Sequence, residues 1–133
     1  MSAARRLGES AAAALLGAAA AHAACPPAPA AAQTIQGSGV QAAWWPEPAP
    51  LTVARPFAVL VQLCPVEAQL LRVEARMPEH RHGMNYRPSI KPLGQGLWRA
   101  DGLLWHMSGR WELRLDVQVQ GAPRPLLQSV VLP

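Results

Sequence analysis

The sequence predicts an all-β protein, an immunoglobulin-like β-sandwich of about seven strands, and three observations support this. From Thr34 onward, short segments of alternating apolar and polar residues recur about every ten residues, with Gly and Pro between them. No window shows the 3.6-residue period of an amphipathic helix. The length of 133 residues leaves room for one domain and a short additional segment.

The first 23 residues are predicted to be a cleaved signal peptide. Arg5 and Arg6 precede an apolar segment at 7–21, and Ala21, His22 and Ala23 place small residues where a signal peptidase cuts. The apolar segment is too short and too rich in alanine for a stable membrane span. The twin arginine lacks the bulky residues that usually follow it, which favours export in the unfolded state.

Two cysteines leave two interpretations open for an exported chain. Cys25 and Cys64 could form a disulfide that fastens the N-terminal arm to the domain. Alternatively, Cys25 carries a lipid, because Ala23, Ala24 and Cys25 fit a lipoprotein signal, although His22 stands where Leu is usual. Residues 24–33 are predicted to be a Pro/Ala-rich tether, which is a membrane spacer in the second case and an arm in the first.

The domain at 34–133 is built from segments with strand character. In 69–77 the alternation places Leu71, Val73, Ala75 and Met77 inward, and 111–119 alternates in the same way. Leu60 makes both faces of 57–63 apolar, as in a strand covered on both sides. The predicted strands are 40–45, 57–63, 69–77, 89–92, 96–100, 111–119 and 126–132.

Every His and Met beyond the predicted signal peptide lies between Glu74 and Trp111. His80, His82 and Met84 stand two residues apart, so their side chains lie on the same side of an extended segment. A second loop further along the chain adds a His-Met pair. Imidazole and thioether suit copper, and thioether suits Cu⁺ in particular, whereas Ca²⁺ or Mg²⁺ needs carboxylates that are scarce here. The predicted copper ligands are His80, His82, Met84, His106 and Met107.

The same residues also permit an interpretation without metal. In it, His80 and His82 are exposed loop residues, and Met77 and Met107 pack at the end of the sandwich. Met77 is assigned to the core in either case, because it continues an inward face. Trp105 could shield the site or lie against a bound cation. The other tryptophans are assigned to core or edge packing: Trp44, Trp45, Trp98 and Trp111.

Other classes of function have little support. The net charge of +4 comes from scattered arginines, so nucleic-acid binding is not expected. No Ser or Cys is visibly paired with a His, and no glycine-rich phosphate loop occurs, so the protein is not expected to be an enzyme. Zinc is less favoured than copper, although Glu79 could add a carboxylate to the histidines.

Three short motifs resemble the YtkA-like/FixH family of small exported or membrane-tethered bacterial domains. They are ARMPEHRHGM at 75–84, GLWRADGL at 96–103 and MSGRWEL at 107–113. The resemblance covers about half of the mature chain and implies a β-sandwich with associations to copper handling and cytochrome oxidase assembly. The chain departs from the FixH type because it lacks a retained transmembrane helix. The family positions carried over are Met77, His80, His82, Met84, Met107 and Trp111.

Together these observations predict an exported, periplasmic copper carrier or sequestering protein. Its partners would be copper donor or acceptor proteins of the cell envelope. The alternative is a non-catalytic interaction module without metal. It would dock on a membrane or periplasmic partner through its loop end or an open sheet edge.

Overall fold

The computed structural model describes Met1 and residues 25–37 and 39–133, which form two antiparallel sheets packed face to face. The predicted all-β sandwich is confirmed, with nine strands in the described residues rather than about seven. The five-stranded sheet has the order β1-β2-β3-β7-β6, and the four-stranded sheet has the order β5-β4-β8-β9. The predicted signal peptide lies outside the described residues, apart from Met1. The strands are β1 Gln33–Gly37, β2 Val40–Glu47, β3 Phe57–Cys64, β4 Gln69–Met77, β5 His82–Gly83, β6 Ser89–Gly94, β7 Leu97–Leu103, β8 Gly109–Gln118 and β9 Arg124–Leu132.

Strand β8 shows how alternation in the sequence builds the core. Trp111, Leu113, Leu115 and Val117 are each fully buried, and the residues between them are half-buried on the outer face. The strand pairs with both β4 and β9, so it is central in its sheet. Burial of these large apolar side chains contributes roughly 1.5–3 kcal/mol each, which makes the inner face of β8 a main source of stability.

Strand β3 is covered on both faces and pairs with β2 and β7. This explains why Leu60, on the face opposite Val59 and Val61, is also buried. Gln62 lies on that second face, and its buried side-chain amide donates a 2.8 Å hydrogen bond to the Gln95 carbonyl. A polar residue is tolerated there because its donor is satisfied.

The predicted inward position of Leu71 in β4 is wrong. Leu70 is buried and Leu71 is 46% exposed. The pairing of β4 with β8 shifts register between Leu70 and Arg72. A β-bulge of this kind adds one residue to one strand and reverses the faces before it, so simple alternation from Val73 back to Gln69 fails.

The N-terminal arm is fastened to the domain. Cys25 and Cys64 form the predicted disulfide, with 5.7 Å between their Cα atoms. The chain then turns through a hydrogen bond from the Ala32 amide to the Pro29 carbonyl and enters β1 at Gln33. Within 25–37 and 39–133, no helix has the length and apolar character required to cross a membrane.

One end of the sandwich collects the segments that carry histidine and methionine. Strand β4 ends there at Met77, β8 begins there at Gly109, and β9 ends opposite Gly109 at Leu132. A Cβ atom on Gly109 would lie 2.8 Å from the terminal methyl of Met77, so these two strand ends are in close contact. The loops before β5 and before β8 therefore lie side by side.

Candidate metal centre

A tight turn after β4 presents the first two histidines. Pro78 begins a 3-10 turn that ends at His80, and Arg81 adopts a left-handed conformation with φ of 56°. The Arg81 amide donates to the Pro78 carbonyl at 3.3 Å. The chain is thereby reversed, so that His82 on β5 pairs with Met77 on β4.

The loop before β8 presents the third histidine. The Ala54 amide donates to the Trp105 carbonyl at 2.8 Å, and the indole N–H of Trp111 donates to the Met107 carbonyl at 3.0 Å. These two bonds hold the residues on either side of His106. The loop is therefore fixed to the core although the His106 side chain is exposed.

The three imidazoles form a row with His82 in the middle. The His82 and His106 ring centroids are 5.1 Å apart, and the His80 and His82 centroids are 5.8 Å apart. Trp111 lies behind the row, with its ring 6.1 Å from His82 and 5.8 Å from His106. His82 and His106 thus lie against the edge of a tryptophan that is fully buried.

His82 carries an unpaired polar atom. Its Nδ1 is buried and has no hydrogen-bond partner among the described residues. Met77 and Met107 are the methionines close to it. A buried nitrogen without a partner costs about 1–3 kcal/mol, a cost that a ligand bound to this atom would offset.

The spacing of the rings fits shared coordination of one ion. With a metal–nitrogen bond of about 2 Å, two imidazoles on one ion at a tetrahedral or wider angle have centroids about 5–6 Å apart. The measured 5.1 Å and 5.8 Å lie in that range. Two imidazoles with a thioether are a donor set suited to Cu⁺.

The other predicted site residues occupy different positions. Met84 packs against the core and lines a cleft of about 350 Å³ beside Arg72, Val73 and Tyr86. Trp105 lies in the core behind Trp111, with the two rings parallel within 7° and their centroids 5.1 Å apart. It is therefore Trp111, assigned to packing from the sequence, that contacts the histidines.

Glu79 is engaged by an arginine on β8. The Arg110 Nε donates to its carboxylate at 2.6 Å, and the same guanidinium donates to the Ser129 hydroxyl at 3.0 Å. The hydrogen bond from Arg110 lowers the pKa of Glu79 below its ordinary value. The pair links the turn that carries His80 to β8 and β9.

In the part of the chain that the structure describes, no three side chains among His, Cys, Asp and Glu converge as metal ligands. The histidines come together as a row, and methionine must supply any sulfur donor. Met77, which the alternation in the sequence assigned to the core and the family resemblance to the loop, lies near His82. Its signal was its position five residues before His82, which becomes a cross-strand neighbour once the turn at Pro78 is recognised.

The chain matches no family model, no curated protein and no solved structure. The YtkA-like/FixH resemblance therefore remains a prediction.

Proposed function

We propose that this protein is an exported copper carrier or sequestering protein of the periplasm, and that it holds Cu⁺ at His82. The observation that carries the proposal is the buried Nδ1 of His82, which has no partner among residues 25–37 and 39–133. The His82 ring lies between two other imidazoles and near two methionines. His106 and Met107 are the proposed additional ligands, and the partners are copper donor and acceptor proteins of the cell envelope.

The donor chemistry supports Cu⁺ over harder ions. Thioether sulfur is a soft ligand that favours Cu⁺, and neutral imidazole accepts copper in either oxidation state. Glu79, the nearest carboxylate along the chain, is held by Arg110. The exposed position of His106 would let cargo be loaded and released without opening the core.

A competition titration tests the proposal. The protein as exported would be titrated without oxygen against a chromogenic Cu⁺ chelator, with Cu²⁺ and Zn²⁺ in parallel. One Cu⁺ per chain is expected, and His82→Ala should weaken binding at least about 100-fold, equivalent to about 2.7 kcal/mol. Tyr86→Ala is the matched control, because Tyr86 is 62% exposed on the loop that follows. Equal binding by the native chain and His82→Ala would overturn the proposal.

An apolar cleft favours a second candidate function, docking without metal. The cleft has a volume of about 410 Å³, lies between β2, the arm and β9, and is lined by Trp44, Trp45, Leu51 and Val131. Val131 is 72% exposed. If the titration shows no Cu⁺ binding, cross-linking from Val131 to an apolar segment of an envelope protein becomes the measurement to make.

A further inference from the structure

The row of histidines is asymmetric in how its two outer members are held. His106 lies 5.8 Å from the fully buried Trp111 and is flanked by two hydrogen bonds to the loop backbone. His80 is exposed and stands on a three-residue 3-10 turn in which no residue is buried. The aromatic contact found for the His80 ring in the described residues is with His82.

The anchoring of the His80 turn is also exposed. Among the described side chains, its link to the sheets is the Glu79–Arg110 pair, in which Arg110 is 38% and Glu79 55% exposed. Exposed ion pairs contribute little to stability, typically about 0–1 kcal/mol. The residue that ends the turn, Arg81, has a left-handed backbone conformation, which a side chain adopts with some strain. His80 is thus the outer histidine best able to move.

We infer that His80 is an exchange ligand: it binds Cu⁺ together with His82 during loading and release, while His82 and His106 hold the ion at rest. The inference rests on the proposed function and deepens it by assigning a route for transfer. His82 is within sharing distance of both outer rings, at 5.8 Å and 5.1 Å between centroids. It can therefore keep its bond to the ion throughout.

The exchange needs no redox partner. His80 forms one coordinate bond as His106 gives one up, and all three imidazoles stay neutral. No proton or electron is transferred, and the ion leaves as Cu⁺. On the exposed side His80 then yields to a ligand of the acceptor in the same way.

The inference predicts that His80 affects rate more than affinity. Stopped-flow transfer of Cu⁺ from the loaded protein to excess chelator would be compared with equilibrium affinity in the same buffer. His80→Ala should slow transfer about tenfold or more, a barrier increase of about 1.4 kcal/mol, and leave the Kd within about threefold. His106→Ala should instead weaken the Kd. His80→Met, which supplies a thioether ligand in place of the imidazole, should restore most of the native transfer rate.

The possible outcomes separate this inference from the proposed function. If the native chain binds no Cu⁺, the proposed function fails and the inference fails with it. If the native chain binds and His82→Ala does not, the function stands. In that case the inference is overturned when His80→Ala transfers at the native rate, or when it loses as much affinity as His106→Ala. Thermal unfolding of each variant confirms that the fold is kept.

Discussion

At the scale of single residues, His82 pairs with Met77 and lies between two other imidazoles, and its position in the sequence shows neither contact. The clustering of His and Met between residues 74 and 111 predicted a site at one end of the sandwich. Spacing could not predict that His82 pairs with Met77, since this depends on the left-handed conformation of Arg81. Nor could it predict the exchange of roles between Trp105 and Trp111. Both tryptophans are apolar and near the loop, and only packing decides which faces the histidines.

Gly96 gives a prediction at the same scale. It has φ of 76°, and a Cβ atom there would lie 2.8 Å from the Leu63 carbonyl oxygen and 2.9 Å from the Val66 Cα. Because both neighbours are backbone, they cannot move aside. Gly96→Ala should lower the free energy of unfolding by about 3 kcal/mol, measured by urea denaturation.

Gly94 in the same hairpin provides the control. Its φ is 96°, and a Cβ atom there would meet nothing within 4 Å. Gly94→Ala should therefore cost only the backbone strain, about 1–2 kcal/mol. Equal losses for the two variants would contradict the close-contact argument.

At the scale of elements, the sequence predicted every strand that buries several large apolar side chains, and also the exposed β6, but it missed β1 and β5. Strand β8 was recognisable because Trp111, Leu113 and Leu115 fall on one face. Strand β1 has the sequence QTIQG and contains one buried apolar residue, Ile35. Its sequence therefore lacks the alternation of apolar and polar residues that would mark it as a strand paired with β2. Strand β5 has only two residues and exists because the turn at Pro78 returns the chain to β4.

The Glu79–Arg110 pair gives a prediction about the 3-10 turn. The pKa of Glu79 is lowered in the folded protein, so the contribution of the pair is present above the ordinary carboxylate range and is lost as pH falls through the lowered pKa. Backbone amide shifts of residues 79–81, followed by NMR, should therefore titrate at acid pH below the usual Glu range. In Glu79→Gln that titration should disappear, whereas Glu67→Gln should leave it unchanged. A persistent titration in Glu79→Gln would contradict the assignment.

At the scale of the whole molecule, both the apolar core and the disulfide stabilise the fold. The two inner faces supply an apolar core from both sheets. The disulfide closes a sequence separation of 39 residues. A loop of that length restricts the unfolded chain by about 4 kcal/mol in the chain-entropy treatment.

Removal of the disulfide should destabilise the protein without unfolding it. Cys25→Ala, Cys64→Ala and the double variant should each lower the free energy of unfolding by a similar amount, up to about 4 kcal/mol, because one bond is lost in all three. Chemical denaturation measures this. Additive losses would show that the cysteines act separately.

The mass of the protein purified from cells separates the two interpretations of Cys25 independently. A disulfide removes two hydrogen atoms from the unmodified chain, and reduction restores them. A lipid on Cys25 would use the same sulfur and add a far larger mass. The structure predicts the first result.

The sequence predicted the fold better than it predicted the arrangement of the candidate site. Periodicity depends on the apolar inner faces, which are repeated along every major strand. The positions of the His and Met side chains depend on a single turn, a bulge-free β4 end and two loop hydrogen bonds. None of these features produces a repeating pattern in the sequence. Composition showed which residue types could bind copper, whereas the proximity of His82 to Met77 and Met107 is visible only in the folded chain.

X-ray absorption at the copper edge of the Cu⁺-loaded protein tests the central claim most directly. The account predicts a mixed first shell of imidazole nitrogen and sulfur, in which His82→Ala loses nitrogen and Met107→Leu loses sulfur. A first shell of nitrogen and oxygen alone, unchanged in both variants, would place the ion elsewhere and contradict the assignment of His82 as the centre of the site.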